Sequence, residues 1–321
     1  MKGLSKDSAT WHEVGEESAE QRVDNYLTRL LKGVPKSHIY RILRSGEVRV
    51  NSGRVGPDYR LQPGDRLRIP PIRVAQRHKQ PVGPAAGRLE EHILYEDEAL
   101  LALNKPAGLA VHGGSGMSFG VIEQLRHARP RDKFLELVHR LDRDTSGVLL
   151  LAKKRSALTA LHGQLRSGRF QKYYLALVHG RWRNQKQSIK LPLSKYRLAS
   201  GERRVSVAQG GLASHTVFEL KQAWPGFSLL EAELKTGRTH QIRVHLAHLG
   251  FPIAGDDKYG DYALYRQLVK QGLKRMFLHA CKLAVTHPLT GDPVIFEAPL
   301  PAELQSFILR LNAAPVTVAR V

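Results

Sequence analysis

Apolar residues Val23, Tyr26, Leu27, Leu30 and Leu31 fall at i, i+3, i+4, i+7 and i+8, which is one face of a helix. A second helix is predicted from about Pro35, with Ile39, Ile42 and Leu43 facing inward and Gly46 as its stop. Val48-Arg49-Val50 then alternates into the turn signal Asn51-Ser52-Gly53, and Arg54-Val55 follows. Pro63-Gly64-Asp65 marks another turn before the alternating strand Arg66-Leu67-Arg68-Ile69, so positions 20–70 read as a compact α/β unit. Residues 71–90 lack periodicity and contain Pro71, Pro81 and Pro84, as a basic linker would. Residues 1–19, polar and mildly acidic, read as a disordered tail. From 91 to 321 short apolar strands are expected at Ile93–Tyr95, Leu100–Leu103, Leu135–Val138, Val148–Ala152, Tyr173–Val178 and Phe227–Leu234. Helices are expected at Val121–Ala128, Ala157–Ser167 and Thr239–Leu249. Without a regular βαβ rhythm, this mixture predicts an α+β domain whose mixed, mostly antiparallel sheet is flanked by helices.

Charge narrows the partners. The 321 residues carry 50 Lys+Arg against 29 Asp+Glu, a formal net charge of +21. That excess favours a polyanion, because each phosphate contact releases counterions. No apolar run of ~18 residues and no signal-peptide core is present, which argues against a membrane partner. Cys281 is the only cysteine, so no intrachain disulfide framework exists and a reducing, cytoplasmic setting is expected. Positions 21–70 alone hold 11 basic and 4 acidic side chains, 11 − 4 = +7. Lys36, Arg41 and Arg44 cannot all occupy the apolar face of their helix, and with Arg49 and Arg54 they are the candidate RNA contacts of this unit. A merely solvated helix surface explains the same pattern equally well from composition alone.

The chemistry concentrates in His139-Arg140-Leu141-Asp142-Arg143-Asp144-Thr145-Ser146-Gly147, a polar stretch between the apolar runs Phe134–Val138 and Val148–Ala152. A carboxylate among arginines in a loop between buried strands is held ionised, and such loops commonly display catalytic groups. On chemistry alone, a loop aspartate satisfied by arginine and backbone donors is the commoner explanation.

Resemblance changes that balance. His-Arg-Leu-Asp followed by Thr-Ser-Gly resembles the active-site signature of the RluA-type pseudouridine synthases, with Asp142 at the position of the catalytic aspartate. Lys172-Tyr173-Tyr174-Leu175-Ala176, Thr236-Gly237-Arg238-Thr239-His240-Gln241-Ile242-Arg243 and the upstream Asn104-Lys105-Pro106-Ala107-Gly108-Leu109 resemble further segments of that family, in its order. The likeness runs from about Glu91 to Pro301, and residues 20–70 resemble the S4 RNA-binding domain with which many members begin.

This resemblance implies isomerisation of uridine to pseudouridine in RNA, by breaking the N1–C1′ bond, turning the base and rejoining it through C5. No cofactor, metal or external energy is required. Asp142 would act as nucleophile at C6 or C1′, or as base at C2′; the sequence leaves the three routes open. Tyr174 would stack on the extruded base and assist proton removal from C5, while Tyr173 points oppositely along a strand. Arg243 would pair with Asp142 from an amphipathic helix with Ile242, Leu246 and Leu249 inward. Arg140 and His139 would fill the vacated stack or hold a flanking phosphate, although a histidine in a tight loop more often just hydrogen-bonds backbone, and Arg238 would contact phosphate or stabilise its own turn. The S4 unit, linker and charge point to large-subunit (23S) ribosomal RNA or its precursor particles, bound by a monomer. Two rivals remain: an RNA base glycosylase using the same Asp–Arg–Tyr set, and a non-enzymatic S4-type ribosome-assembly binder. His240, His245 and His248, at offsets of 5 and 3, do not share one metal-binding helix face and are expected to be solvated. Asp142 and Asp144 are too close in the chain to straddle a glycosidic bond.

Overall fold

A computed structural model describes residues 8–31, 34, 36–72, 89–113, 119–199 and 201–313. Contacts divide the chain into two compact units, residues 1–81 and 82–321.

In the first unit, helices Val23–Leu30 and Lys36–Arg44 pack on a four-stranded sheet of order Thr10–Glu13, Arg66–Ile69, Arg49–Val50, Gly53–Arg54. The predicted helix face is the buried one: Val23, Leu27, Ile39, Ile42 and Leu67 are almost fully enclosed. Gly46 ends the second helix at a φ of +73°, a left-handed conformation glycine adopts at little cost. The tail expected over residues 1–19 requires correction from residue 8 onward, residues 1–7 lying outside the described residues. Thr10–Glu13 pairs antiparallel with Arg66–Ile69, and Tyr26 Oη lies 2.8 Å from His12 Nδ1. The segment's polarity belongs to an edge strand with one half-buried side, which composition alone does not distinguish from a tail. Most of the expected linker, residues 73–88, lies outside the described residues.

The second unit is built on one large sheet. Its order runs Lys186–Ile189, Thr216–Trp224, Phe227–Leu234, Gln171–His179, Leu278–Thr286, Ser146–Ala152, Leu100–Lys105, Ile93–Glu96. All of its pairings are antiparallel except that of Leu278–Thr286 with Ser146–Ala152, which makes it mixed as expected. The unbroken apolar run at 148–152 reflects burial of both sheet faces. Leu149 and Leu151 join Leu101, Leu103 and helix Val121–Ala128 in one core, whereas Val148 and Leu150 join Leu100, Ala102 and helix Arg155–Arg166 in another. A separate hairpin, Leu193–Arg197 with Arg203–Val207, stands beside helix Gln241–His248. No helix among the described residues is long and apolar enough to cross a membrane.

Candidate active site

Asp142 sits in the loop leading into strand Ser146–Ala152, and three contacts fix that loop. Lys105, fully buried, donates from Nζ to the carbonyls of Pro106, Leu109 and Arg143 at 2.7, 2.8 and 3.0 Å. Burial, and then the nearby Arg275, push its ammonium down to about 7. Three carbonyl acceptors nevertheless use all three of its protons, which favours the charged form. Arg275 donates from Nη2 to Ser146 Oγ at 2.8 Å and, at 3.4 Å, to the carbonyl of Asp144. Gly147 takes a φ of +110°, and a Cβ there would lie 2.1 Å from the carbonyl oxygen of Ala280. Only glycine allows the loop to enter the sheet so close to its parallel neighbour.

The carboxylate is partly exposed at 29% and faces a 640 Å³ pocket that Arg140, Thr239, His240, Arg243 and Lys258 also line. Arg243 Nη1 is 3.7 Å from Asp142 Oδ2, but this is not its tightest pairing. Its Nε and Nη2 donate to the two oxygens of Asp256, each at 2.7 Å. Asp256 Oδ1 also accepts from the backbone N–H groups of Lys258 and Tyr259 at 2.9 and 3.0 Å. Burial alone would raise the Asp256 carboxyl, yet Arg243 and these donors hold it below the ordinary carboxylate range. Bidentate pairing on one edge of the guanidinium leaves Nη1 directed at Asp142 and fixes the plane of the group. The expected Arg243–Asp142 pair is thus present as a longer contact braced by a residue that sequence reasoning missed. No periodicity or motif spacing marks Asp256, which lies in a turn thirteen residues beyond Arg243.

His240 completes the wall. It occupies a left-handed conformation, φ +54°, at the start of helix Gln241–His248, and its Nε2 lies 3.9 Å from Asp142 Oδ2. Tyr259 Oη accepts from the Val205 N–H at 3.0 Å and shares a hydrogen bond with His240 Nδ1 at 2.8 Å, which fixes the plane of the ring. Burial lowers the His240 pKa, and Asp142 opposes the shift. The same Tyr259 ring lies under the Arg243 guanidinium, 5.1 Å from its centre.

The helix carrying Arg243 differs from the expected amphipathic one. Gln241, Ile242, Arg243, Val244, His245 and Leu246 are all buried, because sheet and hairpin cover it on more than one side. His245 therefore is not solvated: its Nδ1 meets Thr216 Oγ1 at 3.0 Å and its Nε2 meets Ser214 Oγ at 2.9 Å. His248 is exposed, as expected.

Strand alternation separates the two tyrosines. Tyr174 is buried at 7% exposure, whereas Tyr173 lies beneath Lys282, whose Nζ is 4.6 Å from the ring centre. The Tyr174 phenol is raised well above its ordinary value, by burial first and then by the Asp142 carboxylate.

Two expected substrate contacts are placed elsewhere. His139 Nε2 accepts the Leu150 N–H at 3.1 Å and its ring packs edge-on against Phe170, so it serves the strand rather than the pocket. Arg238 donates from Nε to the Ala213 carbonyl at 3.1 Å, a tie to the segment before strand Thr216–Trp224 rather than to its own turn. In the first unit, Arg41 and Arg44 line a 570 Å³ hollow with Tyr40. Arg49 and Arg54 face each other across the hairpin. Lys36 opens its helix, but its side chain lies outside the described residues.

A family model for RNA pseudouridylate synthases matches residues 99–248, spanning the loop, Tyr174 and Arg243, and an S4 domain model matches residues 21–67. This chain belongs to the RNA pseudouridylate synthase family, with an S4 domain ahead of the catalytic fold. It is 54% identical over 298 residues to the ribosomal large subunit pseudouridine synthase C of Pasteurella multocida (strain Pm70), covering 92% of this chain and 91% of that protein. To the protein of the same name from Escherichia coli (strain K12) it is 55% identical over 303 residues, 93% of this chain and 95% of that protein. Among solved structures, human RNA pseudouridylate synthase domain containing 4 superposes with a TM-score of 0.59 at 25% identity, covering 71% of this chain and 95% of its own.

Proposed function

We propose that this protein isomerises specific uridines of large-subunit (23S) ribosomal RNA to pseudouridine, with Asp142 as the catalytic carboxylate, acting as a monomer in the cytoplasm. The observation that carries the reading is a partly exposed carboxylate facing a 640 Å³ pocket, with a guanidinium held 3.7 Å away by a second, buried carboxylate. A base stacked in structured RNA must be extruded to reach such a group. The bound nucleotide expels water from the pocket, and the braced Arg243 then presents a fixed positive charge to the Asp142 carboxyl. Arg243 is committed to Asp256 and cannot swing toward a phosphate, so it serves as a fixed electrostatic partner. Tyr174, its phenol raised by burial, stays protonated and offers a stacking face and a hydroxyl rather than a phenolate base. Arg140, exposed beside Asp142, is the arginine available to the vacated stack or a flanking phosphate. The S4 unit adds affinity through Arg41 and Arg44, and the net charge of +21 suits a large structured RNA.

The test is pseudouridine mapping by carbodiimide and primer extension on unmodified 23S RNA treated with purified protein. Wild type should give discrete stops, and Asp142→Asn should give none while retaining RNA binding. Release of free uracil would favour a glycosylase, and full turnover by Asp142→Asn, checked for deamidation, would remove Asp142 from the chemistry.

A further inference from the structure

The pocket facing Asp142 is not the largest hollow in the second unit. A 920 Å³ hollow adjoins it, lined among others by Arg143, Asp144, Tyr265, Lys274, Arg275 and Leu300. Arg143, Asp144, Arg243 and Asp257 line both, so the loop after Asp142 is the partition between them. Ligand pockets commonly run ~300–1,000 Å³, and either space accommodates a nucleotide on that scale.

The chemistry of the two spaces differs. In the larger one several charges are already committed: Arg143 pairs with Asp144 at 3.1 Å and Arg275 with Glu303 at 3.1 Å. Lys274, exposed, has no described hydrogen-bond or ion-pair partner among the described residues. Leu300, Met276 and Pro299 supply apolar wall, and Tyr265 supplies an aromatic ring already stacked on exposed Tyr262, with centroids 6.4 Å apart at 21°. A planar group and an unpaired ammonium beside an apolar wall match a nucleobase with its phosphate. Asp257, on the partition, repels phosphate and directs it toward Lys274.

We propose that this hollow binds the nucleotide adjoining the target uridine in the same RNA strand, its base on Tyr265 and its phosphate at Lys274. Extruding one base strips its covalent neighbour of a stacking partner and draws that neighbour to the rim of the active site. Tyr265 replaces the lost stack, which lowers the cost of extrusion and makes the identity of the neighbouring base part of target choice.

The inference rests on Asp142 being the catalytic group, and the experiment separates the two. Synthetic RNA hairpins around a mapped target uridine are prepared with natural neighbours, or abasic at the 5′ or the 3′ neighbour. Single-turnover pseudouridine formation is followed against concentration of full-length protein. Tyr265→Leu should raise the half-saturating concentration about tenfold on the natural hairpin, the size of one stacking contact. It should have no effect on the hairpin abasic at the bound neighbour, and Tyr265→Phe should behave as wild type. Lys274→Gln should reduce the salt slope of binding by about one. An equal Tyr265→Leu loss on every hairpin, or no loss on the natural one, overturns the inference, while wild-type turnover that Asp142→Asn abolishes on the same hairpins upholds the Asp142 reading. Absence of pseudouridine from every hairpin with wild type overturns both.

Discussion

Replacing Asp256 by Asn leaves side-chain volume almost unchanged and removes one charge. In the wild type the carboxylate receives four hydrogen bonds, two from Arg243 and two from backbone N–H groups, so both oxygens act as acceptors. An amide has one acceptor end. Whichever way it turns, its NH2 meets either the guanidinium or the backbone donors. Arg243, 5% exposed, then holds a buried charge without its close partner. Breaking a buried pair in this way costs about 3–5 kcal/mol. For a unit of this length, about 2–4 °C per kcal/mol, Tm should fall by roughly 6–20 °C. A guanidinium displaced by about 1 Å costs on the order of a hundredfold in rate. Differential scanning calorimetry and a tritium-release or carbodiimide assay read the two effects separately. Acid adds a sign check. The folded Asp256 pKa is depressed, so its stabilisation is present above the unfolded carboxyl value of about 3.9 and disappears as pH falls through the folded value. Asp256→Asn should therefore flatten that part of the acid slope. An Asp256→Asn protein with Tm within about 2 °C of wild type and activity within about threefold would refute the bracing role, since neither cost cited above would have appeared.

Other expectations test the surroundings. Gly147→Ala should yield little folded protein by circular dichroism, because its Cβ would meet the Ala280 carbonyl oxygen at 2.1 Å in a left-handed conformation; soluble, active Gly147→Ala would contradict the close approach. His139, pushed down to about 4 by burial and then by Lys172, contributes stability present above the unfolded histidine value of about 6.5. That contribution declines as pH falls toward 4, so His139→Gln should show a shallower loss of Tm over that interval, and an unchanged slope would count against a buried neutral ring. Arg41→Ala with Arg44→Ala should weaken RNA binding across sequences and lower the salt slope by about two, with turnover at saturating RNA retained; an unaltered slope would remove the first unit's hollow from the RNA path.

Much of the architecture was legible because burial writes itself into apolar periodicity. Helix Val121–Ala128 and strand Phe227–Leu234 have the bounds their patterns predict, and the run at 148–152 announces a strand enclosed on both faces. Strands that present polar side chains were not legible: Thr10–Glu13, Lys186–Ile189 and the hairpin Leu193–Arg197 with Arg203–Val207 carry too little apolar alternation to stand apart from loops. The same limit governs the site. Asp142, Tyr174 and Arg243 lie in recognisable segments, but Asp256 and Tyr259 acquire meaning only when a turn distant in sequence closes on Arg243. His245 shows the converse: polarity suggested exposure, whereas hydroxyl partners satisfy it inside.

The parallel pairing of residues 146 and 147 with 279 and 280 has a temporal consequence. A chain emerging from the ribosome exposes Asp142, Tyr174 and Arg243 long before the segment that anchors the aspartate's loop has been synthesised. Arg275, Ala280 and Glu303 arrive last, and without them the loop lacks its mooring to the sheet. Synthesis order thus withholds a working centre until these residues have been made, and nascent fragments ending before residue 275 should bind RNA through their first unit without converting it.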